Sequence, residues 1–299
     1  MAAQSKPVVL SKARPLRVLT MNIFGFSERY EERQRLLRKG IEQLDPDLMS
    51  FQEAGYDGVR HQVADMLGGL GYFVVHQFDD HDTKLPGIIG NALASRWPLK
   101  TVEVLSLQLT PRANLPLYAA IAARVAAPEP VGPMLLVGAT TSWELHCELE
   151  RELQAVAIAK MVQRLADPKG FPTIVAGDLD AAPDSASIRF LTGKQSLASM
   201  SVHYLDAWEQ AGDGSPGHTW THENGLARKI IGQVIRQPRH ARRIDYILLG
   251  SPHNYRKFAQ VRACRVVMDK PTDGLWPSDH YAVFAEIDVE SADPQTKRP

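Results

Sequence analysis

Side chains that can bind a metal ion or move a proton follow several apolar runs of this sequence, at the point where each run ends. Arg17–Asn22 ends on an amide, Asp47–Glu53 ends on a carboxylate, and Pro172–Asp178 ends on a carboxylate that Asp180 follows. Short apolar runs bounded by Gly, Pro or Asp predict β-strands. Because strand ends belong to a rigid sheet, we expect these polar groups to be held in fixed positions.

Two more candidate segments lie near the end of the sequence. Asp245 begins a predicted strand, and Asp279 and His280 open the last one. Each of these residues alone has an ordinary explanation, such as a turn, a helix cap or a buried histidine. Together, the Glu, Asn and Asp oxygens are ligands that Mg²⁺ prefers, and a histidine beside an aspartate suits the activation of water. The set therefore predicts a metal-assisted hydrolytic site.

In their order along the chain, these motifs resemble those of the endonuclease/exonuclease/phosphatase superfamily. The resemblance spans residues 17 to 287 and is carried by Met21-Asn22, Phe51-Gln52-Glu53, Gly90-Asn91-Ala92, Gly177-Asp178-Leu179-Asp180, Arg243-Ile244-Asp245-Tyr246 and Ser278-Asp279-His280. It implies a hydrolase of phosphodiester or phosphomonoester bonds. It also implies a DNase I-like α/β fold, a four-layer sandwich of two packed, mostly antiparallel β-sheets flanked by helices.

The resemblance implies a role for each matching residue. Glu53 is expected to be the principal ligand of Mg²⁺ or Mn²⁺, with Asn22 beside it and Asp279 near the same ion. His280 is expected to contact the scissile phosphate or to receive a proton, while Asp245 fixes its tautomer and raises its basicity. The metal ion would neutralise charge on the phosphoryl oxygens as the nucleophile arrives.

Three further positions would serve the attacking water and the phosphate. Asp178 would orient or deprotonate the water, the residue at position 180 would help hold water and phosphate, and Asn91 would be a supporting phosphate contact. The family usually has Asn where this chain has Asp180. Because an ionised carboxylate cannot donate a hydrogen bond, Asp180 either shares a proton with Asp178 or recruits a second cation. We favour the second cation.

Thr140 is a second departure from the family pattern. Many relatives carry a phosphate-binding His at this point of the register, which Trp143 and the later Arg151 and Gln154 maintain. A Thr hydroxyl can hydrogen-bond to phosphate but brings no charge, so a non-catalytic binding protein on a degenerate site is an alternative. A less favoured alternative is a haloacid dehalogenase-type phosphatase with Asp178 as nucleophile, because Asp178-Leu179-Asp180 follows an apolar run.

The segment from Arg228 to Arg243 carries six Lys or Arg residues and no acidic residue. It leads into the Asp245 strand, so we expect a basic loop at the rim that steers a phosphoester, DNA or RNA into the site, with Arg243 as a substrate contact. The alternative is a solvated loop. With 34 basic and 34 acidic residues and a pI of about 7.2, the whole chain is not a net basic binder of nucleic acid.

Length and composition predict an ordinary globular protein. The 299 residues are 44% hydrophobic and lack a long apolar run, so we expect no membrane span, and the absence of a signal peptide predicts a cytoplasmic location. We expect one domain over residues 15–289, flexible tails at 1–14 and 290–299, and a monomer. Cys147 and Cys264 are predicted to be reduced thiols.

The elements that must position the site follow from the hydrophobic pattern. Predicted strands are Leu16–Ile23, Leu48–Phe51, Tyr72–Val75, Leu117–Val125, Met134–Val137, Thr173–Ala176, Ile244–Leu249 and Tyr281–Ile287. Predicted helices are Glu31–Leu44, Val59–Leu70 and Leu145–Leu165, the last with Leu145, Leu149, Leu153, Val156 and Met161 on its apolar face and Glu148, Glu150, Arg151 and Glu152 on the other. Consecutive strands favour sheet packed on sheet over a doubly wound parallel sheet.

Overall fold

The computed structural model describes residues 14–79, 88–251 and 254–290. The predicted flexible tails, 1–14 and 290–299, lie outside these residues except for Arg14 and Glu290. Their flexibility therefore stays a prediction.

Most strands belong to two sheets of six strands each. The first sheet consists of β1 (Leu16–Asn22), β2 (Leu48–Tyr56), β3 (Phe73–His76), β4 (Ile88–Ser95), β13 (Phe258–Val267) and β14 (Ala282–Glu290). The second consists of β5 (Leu99–Ser106), β6 (Ala119–Val125), β7 (Met134–Thr140), β8 (Ile174–Asp178), β9 (Tyr204–Asp206) and β12 (Asp245–Gly250). Their orders are β13-β14-β1-β2-β4-β3 and β5-β6-β7-β8-β12-β9, and β10 (Trp220–Thr221) pairs with β11 (Ala241–Arg242) separately.

Each six-stranded sheet contains one parallel pair, and its other pairs are antiparallel. The parallel pairs are β1 with β2 and β7 with β8, which agrees with the predicted mostly antiparallel sheets. Parallel pairing puts the ends of both strands at the same edge, so Asn22 lies opposite Gln52, next to Glu53. In the second sheet, the first residue of β12, Asp245, lies opposite the last residue of β8, Asp178. Register therefore collects the polar strand ends in two groups.

The described residues contain six α-helices, of which the first four pack on the outer faces of the two sheets. They are α1 (Tyr30–Leu44), α2 (Gln62–Leu67), α3 (Glu148–Leu165), α4 (Ala186–Leu191), α5 (Ala207–Ala211) and α6 (Gly225–Ile230), followed by a π-helical turn at Ile231–Ile235. One apolar cluster fills the space between the sheets, a second lies between the first sheet and α1 and α2, and a third lies between the second sheet and α3 and α4. These three clusters confirm the predicted four-layer sandwich.

The predicted apolar face of α3 is wrong at three positions. Leu145, just before the helix, is 42% exposed, and Leu149 and Leu153 are 57% and 39% exposed. Glu150 and Arg151 are buried instead, although Val156 and Met161 are buried as predicted. Burial of these charged side chains is tolerated because each has hydrogen-bond partners. Glu150 accepts two bonds from Arg112 (2.9 and 2.8 Å), and Arg151 donates to the carbonyls of Ser142 (2.7 Å) and Glu144 (2.8 Å).

Several further elements were not predicted from the sequence. They are strands β4, β5, β9, β10, β11 and β13 and the short helices α4, α5 and α6. Strands β5 and β13 are edge strands in which exposed positions interrupt the apolar pattern. Helix α2 is shorter than the predicted Val59–Leu70. The His61 side chain caps its start by accepting a hydrogen bond from the Ala64 amide, and Gly68 follows its last residue.

The two cysteines and the helices agree with the expectations from composition. Cys147 and Cys264 are both buried free thiols. Among the residues that the structure describes, no helix combines the length and the apolar character that crossing a membrane requires.

Gly177 in β8 offers a test of the close packing beside the site. A Cβ atom at this position would overlap the backbone of Ala139 in the neighbouring strand β7. We expect Gly177→Ala to lower the free energy of unfolding by about 3 kcal/mol, because a backbone in the middle of a sheet cannot move aside. Urea denaturation measures the change. Gly232→Ala is the control, since its Cβ would meet nothing within 4 Å, and equal stability of the two variants would contradict this account.

Candidate active site

A buried hydrogen bond between Asn22 and Asp178 joins the two sheets at the predicted site. Asn22, the last residue of β1, donates from Nδ2 to Oδ2 of Asp178, the last residue of β8, over 3.0 Å. Both side chains are buried, and 156 residues of sequence separate them. The Asn22 carboxamide oxygen accepts a bond from the Phe24 amide (3.1 Å), which fixes the orientation of the amide. The polar ends of two strands in different sheets are thus brought into direct contact.

His280 lies between two aspartates of the second sheet. Its Nδ1 is 3.0 Å from Oδ2 of Asp245, and its Nε2 is 3.7 Å from Oδ2 of Asp178. All three residues are buried, and one potential ligand atom from each lies within 4.8 Å of the others. Because the carboxylate of Asp245 accepts from Nδ1, the imidazole is held by one nitrogen and presents the other towards Asp178.

Neighbouring carboxylates control the protonation of His280. Burial lowers the pKa of this imidazole, but the carboxylates of Asp245, Asp178 and Asp279 outweigh burial and raise it well above its usual value. Burial, followed by repulsion from Asp245, raises the pKa of Asp178 to about 6. At neutral pH the site therefore pairs a protonated imidazole with a carboxylate that is largely ionised and can still accept a proton.

Glu53 lies at an irregular point of β2. The strand pairing with β4 shifts register between Phe51 and Ala54, and Glu53 has a left-handed φ of 49°. A bulge of this kind re-aims a side chain, here towards the cavity that Asp279 also lines. Burial and repulsion from Asp279 raise the pKa of Glu53 to about 7, although a hydrogen bond from Asn22 opposes the rise.

The environment of Glu53 fits a divalent cation. The carboxylates of Glu53 and Asp279 and the amide oxygen of Asn22 are hard oxygen donors, and two of the three carry negative charge, which is what Mg²⁺ or Mn²⁺ requires. Asp279 is held by contacts from Ser278 Oγ (3.3 Å) and Trp220 Nε1 (3.4 Å). The Asp178, Asp245 and His280 group is a second possible ligand set. The hydrogen bond from His280 to Asp245 already engages that group.

Asp180 lies in the same cavity and carries the second positive φ of the site, 49°. Burial, and then repulsion from Asp178, raise the pKa of Asp180 well above its usual value. Of the two alternatives, proton sharing or a second cation, this environment favours the protonated form, against our preference from sequence. A protonated Asp180 can donate a hydrogen bond as the family's Asn would.

The predicted phosphate contacts Asn91 and Thr140 lie beneath the cavity rather than on its surface. Both are buried, and Thr140 Oγ1 donates to Asn91 Oδ1 over 2.7 Å. The Asn91 amide nitrogen is also engaged, with Gln77 Oε1 (2.8 Å) and two backbone carbonyls. In this structure the pair joins β4 of the first sheet to β7 of the second, and a direct phosphate contact would require these bonds to break.

The predicted basic loop has a different structure from the one expected. Most of residues 228–243 form the end of α6, the π-helical turn and β11. Arg243 is buried in an ion pair with Asp206 (2.7 Å) and stacks on Tyr246, so it does not line the cavity. Arg242 lines the cavity instead, and it donates to the backbone oxygen of Asp180 (2.6 Å).

A cavity of about 340 Å³ is lined by five of the seven predicted catalytic and metal-binding residues. Glu53, Asp178, Asp180, Asp279 and His280 line it together with Arg242, whereas Asn22 and Asp245 are not among its lining residues. Its remaining lining residues are apolar or aromatic and include Leu115, Leu117, Trp143, Ile230, Val234 and Ile235. The sequence shows no feature that places these separated residues at one cavity.

Arg33 is a buried residue of the site region that the sequence analysis also missed. Its guanidinium is fully buried and donates to the carbonyls of Ile23 (3.0 Å), Gly25 (3.0 Å) and Pro277 (3.3 Å), among others. These carbonyls belong to the segments that follow Asn22 and precede Asp279. The signal in the sequence is periodicity, because Arg33 falls on the buried stripe of α1 with Leu37 and Ile41.

Comparison with known proteins identifies a family and a fold. A model of the Endonuclease/Exonuclease/phosphatase family matches residues 19–280. Among solved structures, D. rerio TDP2 complexed with single strand DNA product superposes with a TM-score of 0.68 at 18% identity, covering 91% of this chain and 98% of that chain. The human Nocturnin catalytic domain with bound sulfate anion gives 0.64 at 21% identity, covering 95% and 97%. An endonuclease/exonuclease/phosphatase from Bacteroides vulgatus gives 0.66 at 17% identity, covering 92% and 99%.

At these identities the solved structures show a shared fold and nothing finer. No curated protein sequence matches this chain significantly. The assignment of individual residues therefore depends on the geometry described above.

Arg33→Lys tests whether the buried guanidinium holds the site segments. Lysine keeps the charge but lacks the planar fork that reaches several carbonyls, so we expect unfolding to become about 3 kcal/mol easier. Chemical denaturation measures the loss. Arg35→Lys on the exposed face of α1 is the control and should leave stability unchanged. A stable Arg33→Lys variant would show that the carbonyls find other donors.

Asp245→Asn tests the electrostatic control of His280. Removing the carboxylate should lower the pKa of the imidazole, measured by NMR titration of the metal-free protein. The folded-state pKa of His280 is raised, so its contribution to stability is complete below the unfolded value of about 6.5 and is lost as pH rises through the folded value. The variant should therefore lose more stability at pH 6 than at alkaline pH. Asp288→Asn, in an exposed pair with Arg262, should not change the titration.

Proposed function

This chain belongs to the Endonuclease/Exonuclease/phosphatase family, and we propose that it is a divalent-metal-dependent phosphodiesterase. Members of this family are typically metal-dependent phosphoesterases. The observation that carries the proposal is the contact between the two sheets, where Asn22 bonds to Asp178 beside the His280–Asp245 pair. Asp178, His280 and Glu53 line one cavity, which supports their proposed roles as proton acceptor, protonated imidazole and cation ligand.

Glu53, Asn22 and Asp279 would hold the cation, which we propose to be Mg²⁺ or Mn²⁺. When bound, it supplies Lewis-acid stabilisation of negative charge on the phosphoryl oxygens. The raised pKa of Glu53, about 7, supports this assignment because positive charge would relieve the repulsion from Asp279 that raises it. Asn22 bonds to Asp178 as well, so it couples the cation site to the residue that faces the water.

Asp178 and His280 would carry the proton transfers. Asp178 would accept a proton from the attacking water, since its pKa of about 6 leaves it mostly ionised at neutral pH. His280, kept protonated by Asp245, would bind a phosphoryl oxygen through Nε2. Asp180 in its protonated form would donate a hydrogen bond to the same phosphate. Asn91, Thr140 and Arg243 would support the site by positioning strands, not by touching substrate.

The substrate class proposed here is a phosphodiester, either in nucleic acid or in a small molecule. D. rerio TDP2 has been solved with a single-strand DNA product, which supports testing DNA and RNA as substrates of this chain. The haloacid dehalogenase-type alternative is not supported, because the family match and the two packed sheets belong to a different architecture. The non-catalytic alternative is decided by the assay below.

We also propose that residues 15–289 form one domain and that the protein is a cytoplasmic monomer. An apolar cluster shared by both six-stranded sheets supports a single folding unit. Two buried free thiols are compatible with a reducing compartment.

Glu53→Gln tests the function. Hydrolysis of bis-p-nitrophenyl phosphate, p-nitrophenyl phosphate and labelled single- and double-stranded DNA and RNA would be measured with Mg²⁺, Mn²⁺ or EDTA. We expect metal-dependent hydrolysis that falls at least about 100-fold in the variant, because a neutral amide binds a cation far less well than a carboxylate.

Glu42→Gln on the exposed face of α1 is the matched control and should keep full activity. Full activity of Glu53→Gln would overturn the assignment of the metal site. A folded wild-type protein that hydrolyses none of these substrates with any metal would favour the non-catalytic alternative.

A further inference from the structure

The cavity around the catalytic residues has predominantly apolar walls. Nine of its fifteen lining residues are aliphatic or aromatic, whereas the six polar ones include the predicted catalytic and metal-binding groups. The apolar residues come from separate parts of the chain. Leu115 and Leu117 precede β6, Trp143 follows β7, and Ile230, Val234 and Ile235 belong to α6 and the π-helical turn.

Parts of this wall are exposed although they are large and apolar. Val234 is 51% exposed and Trp143 is 40% exposed. Contiguous exposed apolar surface on a protein commonly marks a binding site. Buried contacts fix this apolar wall in place. Ile231 is buried in one cluster with Trp220 and Ile244, and Ile230 and Ile235 pack against that cluster. The apolar surface is therefore a preformed part of the fold.

The Lys and Arg side chains of residues 228–243 contribute little positive charge to the cavity. Lys229 Nζ pairs with the carboxylate of Glu28 (2.9 Å), and Arg228 donates to the carbonyl of His222 (2.7 Å). Arg236 and Arg239 are exposed and do not line the cavity. Arg242 is the one basic lining residue of the described cavity besides His280. A cavity made for a nucleic-acid strand needs cations for the neighbouring phosphates, whereas this one offers hydrocarbon.

We infer, on the basis of the phosphodiesterase function proposed above, that the preferred substrate is a small phosphodiester with one uncharged apolar ester group that packs against Trp143, Val234 and Ile235. The group is an alkyl chain or an aryl ring. A cavity of about 340 Å³ holds a phosphate together with a substituent of this kind but not a long polymer segment. The apolar wall thus acts as a specificity subsite beside the catalytic groups.

A series of diesters with one common leaving group tests the subsite. Methyl, butyl and phenyl p-nitrophenyl phosphate would be compared by kcat/KM, each divided by its uncatalysed rate. Burial of a methylene group contributes about a fourfold gain in affinity, so we expect butyl to exceed methyl by at least about tenfold. The phenyl ester distinguishes an aryl-binding wall from an alkyl-binding one.

Val234→Ser identifies the wall as the source of the preference. The substitution should reduce the butyl-to-methyl ratio of kcat/KM by at least about threefold, because it removes hydrocarbon that would contact the butyl group. Leu149→Ser is the matched control, a comparably exposed aliphatic residue on α3 that lies outside the cavity. It should leave the ratio unchanged.

Equal kcat/KM for the methyl, butyl and phenyl esters would overturn the inference but leave the phosphodiesterase proposal intact. Faster cleavage of an oligonucleotide, unaffected by Val234→Ser, would also overturn it. If no diester is hydrolysed, the proposed function fails, and ligand binding then tests whether the apolar subsite exists. Quenching of tryptophan fluorescence by butyl phosphate and methyl phosphate would then be measured in the wild type and in Val234→Ser. Tighter butyl binding that the variant loses supports the subsite, and equal binding overturns it.

Discussion

The hydrogen bond between Asn22 and Asp178 is the interaction on which the geometry of the site depends. It joins the last residues of two strands that belong to different sheets, over 3.0 Å in a buried position. The packing of one sheet on the other therefore sets the distance between the residues proposed to bind a cation and those proposed to transfer protons. The Gly177 backbone lies close to Ala139 of the adjacent strand, and any larger residue at this position would separate β7 from β8. This close approach therefore maintains the position of β8 and of Asp178 at its end.

The carboxylates around the Asn22–Asp178 contact repel one another, and the fold offsets this repulsion in several ways. Burial raises the pKa of Asp178 and of Asp180, and burial together with Asp279 raises the pKa of Glu53. The acidic neighbours of His280 keep its imidazole protonated. A protonated imidazole and a shared proton each remove part of the negative charge, and the proposed cation would remove more. The same repulsion that destabilises the metal-free site would favour the binding of that cation.

The rest of the molecule separates this polar centre from its apolar surroundings. Arg33 uses one buried cation to fix the backbone on both sides of the centre, because it bonds to carbonyls next to Asn22 and to Pro277. The segment after α6 brings hydrocarbon to the cavity and directs Lys229 to Glu28 instead. A polar floor beneath apolar walls lowers the local polarity around the reacting groups, which strengthens every charge interaction there.

The sequence by itself determined the family, the layered fold and the residues at the strand ends. This succeeded because a buried strand that ends on Asn22 or Asp178 combines two local signals, apolar periodicity and a polar end, which can be recognised without knowledge of the partner strands. Glu53 was predicted to end its strand as well, but β2 continues past it to Tyr56. The sequence did not determine which side chains face the cavity. Arg243 and Arg242 are neighbours with the same chemistry, yet only their alternate directions in the folded chain send one to Asp206 and the other to the cavity. The exposed leucines of α3 and the buried Arg33 likewise depended on which hydrogen-bond partners the tertiary structure supplied, because a charge is buried only where distant backbone groups compensate it.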